Sequence, residues 1–360
     1  MHAHLRHLSI DSAFIDAEDI VAKLHFLDQM ESRWPYDPGK SVPLHKRVTE
    51  ALAQLPEEFQ KYALAAFANV IYVPHPILRE SWKYLASDVA QSLGISVGEL
   101  FSNSHLLEVD PSGLMADVLH ENHIHGRLDS DRFSRLNSVD ALADHLRTFA
   151  FTPDVQEHEI RAIKLAFSKK YWLLLSDNVL SGTSMLSDLN RCSRLLSAYA
   201  ALGQPELIPV AQVLTESALQ IFTGDHQPFH AIWLDSRSKV VPGNEDCHLF
   251  NQSDTLSGVL QLSEWLASQE WFAGDERLTA TIAKSGDSMA YGFKRGGWTI
   301  VTPNAPTNSL PILWYACEGA YTAPFPRVMS RTSQAKGAGA EATAQAVEVA
   351  KTVLEKIRPA

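Results

Sequence analysis

This sequence of 360 residues has few cysteines, no long apolar runs and no excess of positive charge. The three cysteines, Cys192, Cys247 and Cys317, are far apart and form no CxxC pair, which argues against a disulfide framework and a zinc ribbon. No stretch approaches the roughly 18 apolar residues of a membrane span, and the first twenty residues lack the apolar core of a signal peptide. We therefore expect a cytoplasmic protein without a membrane partner.

The balance of charge and the absence of several motifs argue against further classes of protein. Asp and Glu number 42 against 31 Lys and Arg, a net charge of −11, and such a surface repels the phosphate backbone of a nucleic acid. The patterns GxSxG, GxGxxG and GxxxxGK[ST] are missing, which argues against a serine hydrolase, a dinucleotide-binding enzyme and a P-loop enzyme. HENHIHG (120–126) has three histidines, but their spacing is unlike that of known zinc sites.

Composition and periodicity predict three regions along the chain. Residues 1–100 form a mostly helical N-terminal region, residues 101–330 alternate strand-like with helical patterns, and residues 331–360 are an Ala/Gly linker followed by a helix. Strands separated by helices are typical of a mainly parallel sheet with helices on its faces. The predicted fold class is α/β, with strands expected near 104–110, 171–177, 208–214, 229–235 and 297–303.

The most informative stretch is YWLLLSDNVLSGTS (171–184), an apolar strand that runs into polar residues. In a parallel sheet, ligands bind beyond the carboxyl ends of the strands. Gly182 allows a tight turn, and the N–H groups that begin the following helix favour an anion there. Ser181, Thr183 and Ser184 add hydroxyl donors, which together predict a phosphate-binding loop. Asp177 beside it suits sugar hydroxyls or a metal bound through oxygen.

A purely structural interpretation of the same loop stays open. Asp177 or Asn178 could satisfy the turn, and Thr183 could cap the helix, since strand-to-helix loops rich in Ser and Gly are common.

The loop resembles the signature of type I phosphoribosyltransferases, in which an apolar strand precedes two acids, a few further residues and Thr/Ser-Gly-x-Thr. It is similar to the shorter form found in phosphoribosyltransferase-like proteins of bacterial conflict and phage-defence loci, some of them linked to retrons. TPNAPTNSLPILWY (302–315), APFPR (323–327) and AFANVIYVP (66–74) resemble further segments of those proteins. The resemblance covers about residues 60–327.

The resemblance implies a type I phosphoribosyltransferase-like fold and a site for phosphoribosyl pyrophosphate or a nucleotide. Ser176 and Asp177 fall on the acidic pair that would hold the ribose hydroxyls, with Asp177 also a candidate metal ligand. Residues Ser181 to Ser184 fall on the phosphate loop. Mg²⁺ is the implied cofactor, bound through the substrate's pyrophosphate. Ser176 departs from the pattern because the family has an acid at that position.

VDPSG (109–113) is the candidate for a second loop whose backbone groups receive the leaving pyrophosphate, with Asp110, Ser112 and Gly113 as its candidate residues and Arg127 neutralising the charge of the pyrophosphate. An ordinary turn capped by Asp110 is the alternative for this segment. Trp298 and Trp314 could stack a base or belong to the core.

The resemblance implies a bacterial anti-phage effector that acts at the anomeric carbon of a phosphorylated ribose. Its partners would be proteins of a defence complex, such as a reverse transcriptase or a DNA-binding protein, or further copies of the chain. The departure at Ser176 leaves two alternatives: a catalytically reduced nucleotide sensor or assembly module, and a structural subunit whose loop binds nothing.

Overall fold

The computed structural model assigns helices and strands along most of the chain. The residues that the structure describes are 19–34, 36, 42–109, 114–123, 136, 138–152, 156–222, 226–244, 247, 250, 253–276, 278, 289–292, 297–301, 309–326 and 349–356. The helices are α1 (Ile20–Arg33), α2 (Leu44–Ala53), α3 (Glu57–Ala68), α4 (His75–Ser92), α5 (Val97–Ser102), α6 (Leu114–Glu121), α7 (Val139–Phe151), α8 (Glu157–Phe167), α9 (Thr183–Ala198), α10 (Glu216–Leu219), α11 (Ser253–Ser268), α12 (Glu270–Ala273), α13 (Pro311–Trp314) and α14 (349–356). The strands are β1 (Ile71–Val73), β2 (Ser104–Glu108), β3 (Tyr171–Val179), β4 (Glu206–Thr215), β5 (Phe229–Leu234), β6 (Thr299–Val301), β7 (Ala316–Cys317) and β8 (Tyr321–Thr322).

The chain divides into two units, and each is built from segments that are distant in sequence. The first unit comprises Met1–Ile77 and Leu234–Ala335, and the second comprises Leu78–Trp233 and Lys336–Ala360. The division into three regions at residues 100 and 330, which composition indicates, stays a prediction.

The second unit contains a four-stranded sheet in the order β2-β3-β4-β5. Strands β2 and β3 run parallel with Ser104 opposite Tyr171, and β3 and β4 run parallel with Tyr171 opposite Glu206. The central strands are nearly continuous apolar runs because helices cover both faces of the sheet. This architecture confirms the predicted α/β class with a parallel sheet flanked by helices.

Two separate apolar clusters lie in this unit. One contains residues of α4, α5, α6 and alternate residues of the strands, such as Leu173 and Val210. The other contains α7, α8, α9 and strand residues such as Trp172 and Leu174. Arg191 of α9 makes ion pairs to Asp140 of α7 at 2.6 Å and to the buried Asp188 at 3.1 Å. The pair with Asp140 joins α7 to α9, the helix that begins at the candidate phosphate loop, and the pair with Asp188 lies within α9.

The C-terminal helix α14 belongs to the core of the same unit. Val349, Ala350 and Val353 are buried in the cluster that contains α7 and α9. Lys356 donates from Nζ to the carbonyl oxygens at the end of α7, at 3.0 Å for Phe149, 2.7 Å for Ala150 and 2.5 Å for Thr152. A lysine there satisfies the last carbonyls of a helix and interacts favourably with the helix dipole. The helix predicted for the tail is therefore present, and it packs on the chain's own α/β unit.

The first unit joins the N-terminal helices to the C-terminal element. Strand β1 pairs in parallel with β6, so that Tyr72 lies opposite Ile300, more than two hundred residues along the chain. Arg47 of α2 forms an ion pair with Glu31 at 2.5 Å, hydrogen bonds to the carbonyl of Pro324, and lies over the ring of Phe325. The described part of the APFPR segment, residues 323–326, is thus part of the packing of this unit.

Candidate functional site

The strand that carries the predicted site is longer than its sequence indicates. Strand β3 continues past Ser176 to Val179, because β4 runs on in register to pair Asn178 with Val213 and Val179 with Leu214. Ser176 and Asp177 therefore lie in the last residues of the strand, and the connection to α9 is reduced to the three residues 180–182. A connection of this length places the carboxyl end of β3 directly before the helix.

Gly182 makes this short connection possible. Its φ of 71° and ψ of −10° lie in the left-handed region, which a side chain disfavours. A Cβ at this position would also lie 2.5 Å from Cδ1 of Ile221 and 3.2 Å from the carbonyl oxygen of Ala218. The turn therefore favours glycine, and a side chain at this position would also require Ile221 to move.

The start of α9 has the geometry of an anion site. The first N–H groups of a helix have no acceptor within the helix, and its N-terminus carries partial positive charge. Thr183 and Ser184 are exposed, and Ser181 is half-buried. The hydroxyl of Ser181 accepts a hydrogen bond from Thr183 N at 3.5 Å and lies 3.4 Å from Thr183 Oγ1. These long, weak bonds hold the hydroxyls together on the accessible side of the loop.

Asp177 is held at the end of β3 by the residue that follows it. Its Oδ1 accepts hydrogen bonds from the backbone N and from Nδ2 of Asn178, both at 2.7 Å. Asp177 is half-buried, so part of the residue faces solvent. Asn178 thus orients the neighbouring carboxylate.

Ser176 has a different environment. It is 4% exposed, and its Oγ donates to the carbonyl oxygen of Asn178 at 3.0 Å. Its hydroxyl therefore serves the local backbone in this structure. A catalytic role for Ser176 stays a prediction, as do the roles of the other site residues.

Thr215, at the end of β4, holds the loop between β3 and α9, and the sequence did not predict this role. It is buried, and its Oγ1 donates to the carbonyl oxygen of Leu180 at 2.7 Å. The same oxygen accepts from Ala218 N at 3.1 Å and caps α10. A Thr that ends an apolar strand before Glu-Ser-Ala is a recognisable helix cap. The bond to the loop, 35 residues away in sequence, has no such signal.

We expect Thr215→Val to loosen the loop, because valine keeps the shape and loses both hydrogen bonds. The lost cap and the unsatisfied Leu180 carbonyl should lower the free energy of unfolding by about 2 kcal/mol. Urea unfolding followed by circular dichroism measures this. Thr215→Ser, which retains the hydroxyl, is the matched control and should lose less than half as much. Equal losses for Val and Ser would show that the hydroxyl bonds are unimportant.

The neighbouring strand β2 ends beside β3. Glu108, the last residue of β2, is 1% exposed and lies opposite Leu175, while Val109 N donates to the carbonyl of Leu175 at 2.9 Å. The carboxyl ends of β2 and β3 are therefore adjacent. The predicted second-loop residues Asp110, Ser112, Gly113 and Arg127 lie outside the described residues.

The aromatic residues of the C-terminal element belong to the core. Trp298 and Trp314 are fully buried in the first unit. Trp314 donates from Nε1 to the carbonyl of Ser309 at 2.7 Å, and Trp298 packs against Phe250 with ring centroids 5.5 Å apart. Of the two interpretations of these tryptophans, the structure supports the core.

Within the described ranges, no helix is long and apolar enough to cross a membrane. In the same part of the chain, no group of three or more His, Cys, Asp and Glu side chains is arranged to hold a metal ion.

Comparison with protein families places the chain beside a known one. A family model described as PRTase-CE, for a phosphoribosyltransferase-like family, matches residues 48–327. This range includes β3, the loop, α9 and the C-terminal element. No curated protein and no solved structure matches the chain.

Proposed function

Because the chain belongs to the PRTase-CE family, a phosphoribosyltransferase-like family, we propose that it binds phosphoribosyl pyrophosphate or a nucleotide and acts at the anomeric carbon of the ribose. The observation that carries the proposal is the junction of β3 and α9. There a half-buried carboxylate, Asp177, lies within a few residues of an accessible, hydroxyl-rich helix N-terminus.

The loop would bind the phosphate on the sugar. The N–H groups at the start of α9, together with the hydroxyls of Ser181, Thr183 and Ser184, supply donors to the phosphate oxygens, and the helix dipole favours their charge. Gly182 lets the backbone approach the ligand, and Thr215 keeps the Leu180 carbonyl turned away into a hydrogen bond.

Asp177 would act on the ribose. In transfer, the bond from the anomeric carbon to the pyrophosphate oxygen breaks and a bond to the acceptor forms, so positive charge develops on the sugar between these events. A carboxylate that accepts the ribose hydroxyls stabilises that charge. Its hydrogen bonds from Asn178 hold it in place beforehand, so little reorganisation is needed.

Mg²⁺ is compatible with these residues. It is commonly bound through one or two carboxylates plus substrate phosphates, and Asp177 with the pyrophosphate would meet that need. When bound, the ion would neutralise charge on the leaving pyrophosphate. On the sequence argument alone, backbone groups of the loop with Asp110, Ser112 and Gly113 would receive the same group, and Arg127 would neutralise its charge.

A second candidate is a catalytically reduced nucleotide sensor or assembly module. The observation that favours it is Ser176, which replaces the family's first acid and is buried with its hydroxyl bonded to the Asn178 carbonyl. Exchange of one charged hydrogen bond for a neutral one costs roughly 1.5 kcal/mol, or about tenfold in rate if the bond is made in the transition state.

We further propose that the protein is a cytoplasmic effector of a bacterial defence system, with a reverse transcriptase or a DNA-binding protein as partner. The support for this role is the sequence resemblance to proteins of conflict loci, some of them linked to retrons. A gene for such a partner next to this one would strengthen the proposal.

Isothermal calorimetry with phosphoribosyl pyrophosphate and Mg²⁺ tests the binding site. The wild-type protein should bind, and Asp177→Ala should weaken binding at least tenfold, because a charged hydrogen bond is worth about 1.5–3 kcal/mol. Asp144→Ala removes an exposed carboxylate from α7 and should bind as the wild type does. Omission of Mg²⁺ should also weaken binding.

The absence of binding by the wild-type protein would contradict the proposed function. Equal affinity of the wild type and Asp177→Ala would remove Asp177 from the site. Where binding is present, release of pyrophosphate distinguishes the transferase from the sensor, which binds without turnover.

A further inference from the structure

The carboxyl end of β4 carries a buried polar side chain beside Asp177. The parallel register pairs Ser176 with Ala211, and the same register holds two residues later, so Asp177 and Gln212 lie side by side. Residues that are neighbours in register share one face of a sheet, and adjacent strands lie about 4.8 Å apart. The side chains of Asp177 and Gln212 therefore leave the sheet on the same face, next to each other.

This face of the sheet is covered by α4. Nε2 of Gln212 donates to the carbonyl oxygen of Leu78 and, at 3.3 Å, to Oγ of Ser81, and both acceptors belong to α4. Ile208 and Val210, which precede Gln212 at alternate positions of β4, are buried in the apolar cluster that contains α4. The face is therefore apolar along β4 until Gln212, where it becomes polar beside the candidate site.

One atom of Gln212 has no partner within the described ranges. Gln212 is 1% exposed, yet its Oε1 accepts no hydrogen bond. The orientation of the amide is fixed, because the carbonyl of Leu78 can only accept and must face the amide nitrogen. A buried acceptor without a donor costs stability, and it is satisfied when a ligand or a water molecule donates to it. Oε1 thus faces away from α4 without a donor from the described chain.

We propose that Gln212 is a second ligand-binding residue of the β3–α9 site. Its Oε1 accepts a hydrogen bond from one of the two adjacent ring hydroxyls of a phosphorylated ribose, and Asp177 accepts from the other. This inference rests on the proposed function. Two acceptors on adjacent strands and the same face of the sheet match two donors on adjacent carbon atoms of the sugar.

Gln212 supplies the second acceptor that Ser176 does not. Ser176 precedes Asp177 in β3 and therefore points to the opposite face of the sheet. Its Oγ already donates to the carbonyl oxygen of Asn178 at 3.0 Å. The amide oxygen of Gln212 accepts a hydroxyl proton without adding a second negative charge near the phosphates of the ligand.

The pairing of Gln212 with a hydroxyl makes the site selective for ribose over deoxyribose. A site that is built to hydrogen-bond a hydroxyl rejects an analogue without it, because the buried polar group is then left unpaired. The substrate class is therefore a ribose phosphate or a ribonucleotide, and the 2-deoxy and 3-deoxy sugars should both bind more weakly.

Calorimetry with ribose 5-phosphate, 2-deoxyribose 5-phosphate and 3-deoxyribose 5-phosphate tests this role. The wild type should bind ribose 5-phosphate at least about tenfold more tightly than either deoxy sugar. Gln212→Met keeps the length of the side chain and removes the acceptor. It should abolish the preference over one deoxy sugar and retain the preference over the other, which depends on Asp177. Unchanged affinity for the first deoxy sugar shows that the phosphate loop is intact.

A matched control and a second variant complete the test. Gln91→Met makes the same substitution at an exposed position of α4 and should leave all three affinities unchanged. If Gln212→Met does not fold, Gln212→Asn should lose the same preference, because its side chain is one methylene shorter and withdraws the oxygen from the sugar.

The outcomes separate this inference from the proposed function. If the Gln212 variants bind ribose 5-phosphate and retain both preferences, Gln212 is not a ligand-binding residue and the proposed function stands; a buried water molecule on Oε1 would give this result. A wild type that binds all three sugars equally would also overturn the role of Gln212. A wild type that binds none of them would contradict the proposed function itself and the inference with it.

Discussion

Gly203→Ala is expected to destabilise the second unit by about 3 kcal/mol or more. Gly203 lies between α9 and β4, in the crossover that carries the candidate phosphate loop, and its φ is 151°. A Cβ there would lie 2.0 Å from the carbonyl oxygen of Phe167, the last residue of α8. A backbone atom at the end of a packed helix cannot swing away as a side chain can. Backbone strain and overpacking therefore add, at about 1–3 kcal/mol each.

Gly94→Ala is the matched control. Gly94 is in the same unit and also has a positive φ, 66°, but no atom lies within 4 Å of the Cβ position. The free energy of unfolding of Gly94→Ala should fall only by the cost of the left-handed conformation, about 1–2 kcal/mol. Guanidinium unfolding measures both variants in the transition of the second unit. If the two losses are equal, the contact with Phe167 is not what requires glycine at position 203.

Because of His105, the free energy of unfolding of the second unit is expected to fall by about 3 kcal/mol on acidification. Its ring is buried in β2, 5.9 Å from the ring of Trp172. Nε2 lies 3.0 Å from the carbonyl oxygen of Leu136, and since a carbonyl only accepts, Nε2 carries the proton of the neutral ring. Burial lowers the pKa of His105 from 6.5 to about 4, and the positive charge of Lys169 acts in the same direction.

The direction of the pH effect follows from proton linkage. Between pH 6.5 and pH 4 the unfolded chain binds a proton at His105 and the folded chain does not, so stability falls as the pH falls through this window. A shift of about 2.5 pKa units corresponds to about 3 kcal/mol. Below pH 4 both states are protonated, and this contribution is fully lost.

The measurement is the free energy of unfolding at pH 7 and pH 4.5 for the wild type and His105→Gln. Glutamine can donate to Leu136 without titrating, so the variant should lose less stability on acidification, even if it is weaker at pH 7. His158→Gln, at an exposed position of α8, controls for removal of a histidine and should follow the wild type. The same pH dependence in His105→Gln and the wild type would rule out His105 as the source.

The elements predicted most accurately were those with strong local signals. The strands near 104–110, 171–177, 208–214 and 229–235 are present with shifted ends, because short apolar runs bounded by polar residues indicate a strand locally. The end of β3 was placed two residues too early. Nothing in SDNV shows that β4 continues far enough to pair with it.

Long-range pairing limited the prediction elsewhere. The segment 297–303 does contain a strand, but β6 pairs with β1 in the first unit. Periodicity assigns a strand and carries no information on its partner, and the two segments are separated by most of the chain. For the same reason, the sequence did not predict the hydrogen bond of Thr215 to the loop or the close approach of Ile221 to Gly182.

The sequence by itself determined the α/β class, the strand-loop-helix from Tyr171 to Ala198 and its hydroxyl-rich glycine turn, since these depend on local periodicity and on the conformational freedom of glycine. Only the tertiary structure decided how that turn is held. The register of β4 lengthens β3, the end of β4 supports the loop through Thr215, and Ile221 closes the space that a side chain at Gly182 would need. These contacts depend on which strands become neighbours. The pairing of strands is determined by burial of the whole core, and no single segment of the sequence contributes enough of that burial to reveal the pairing.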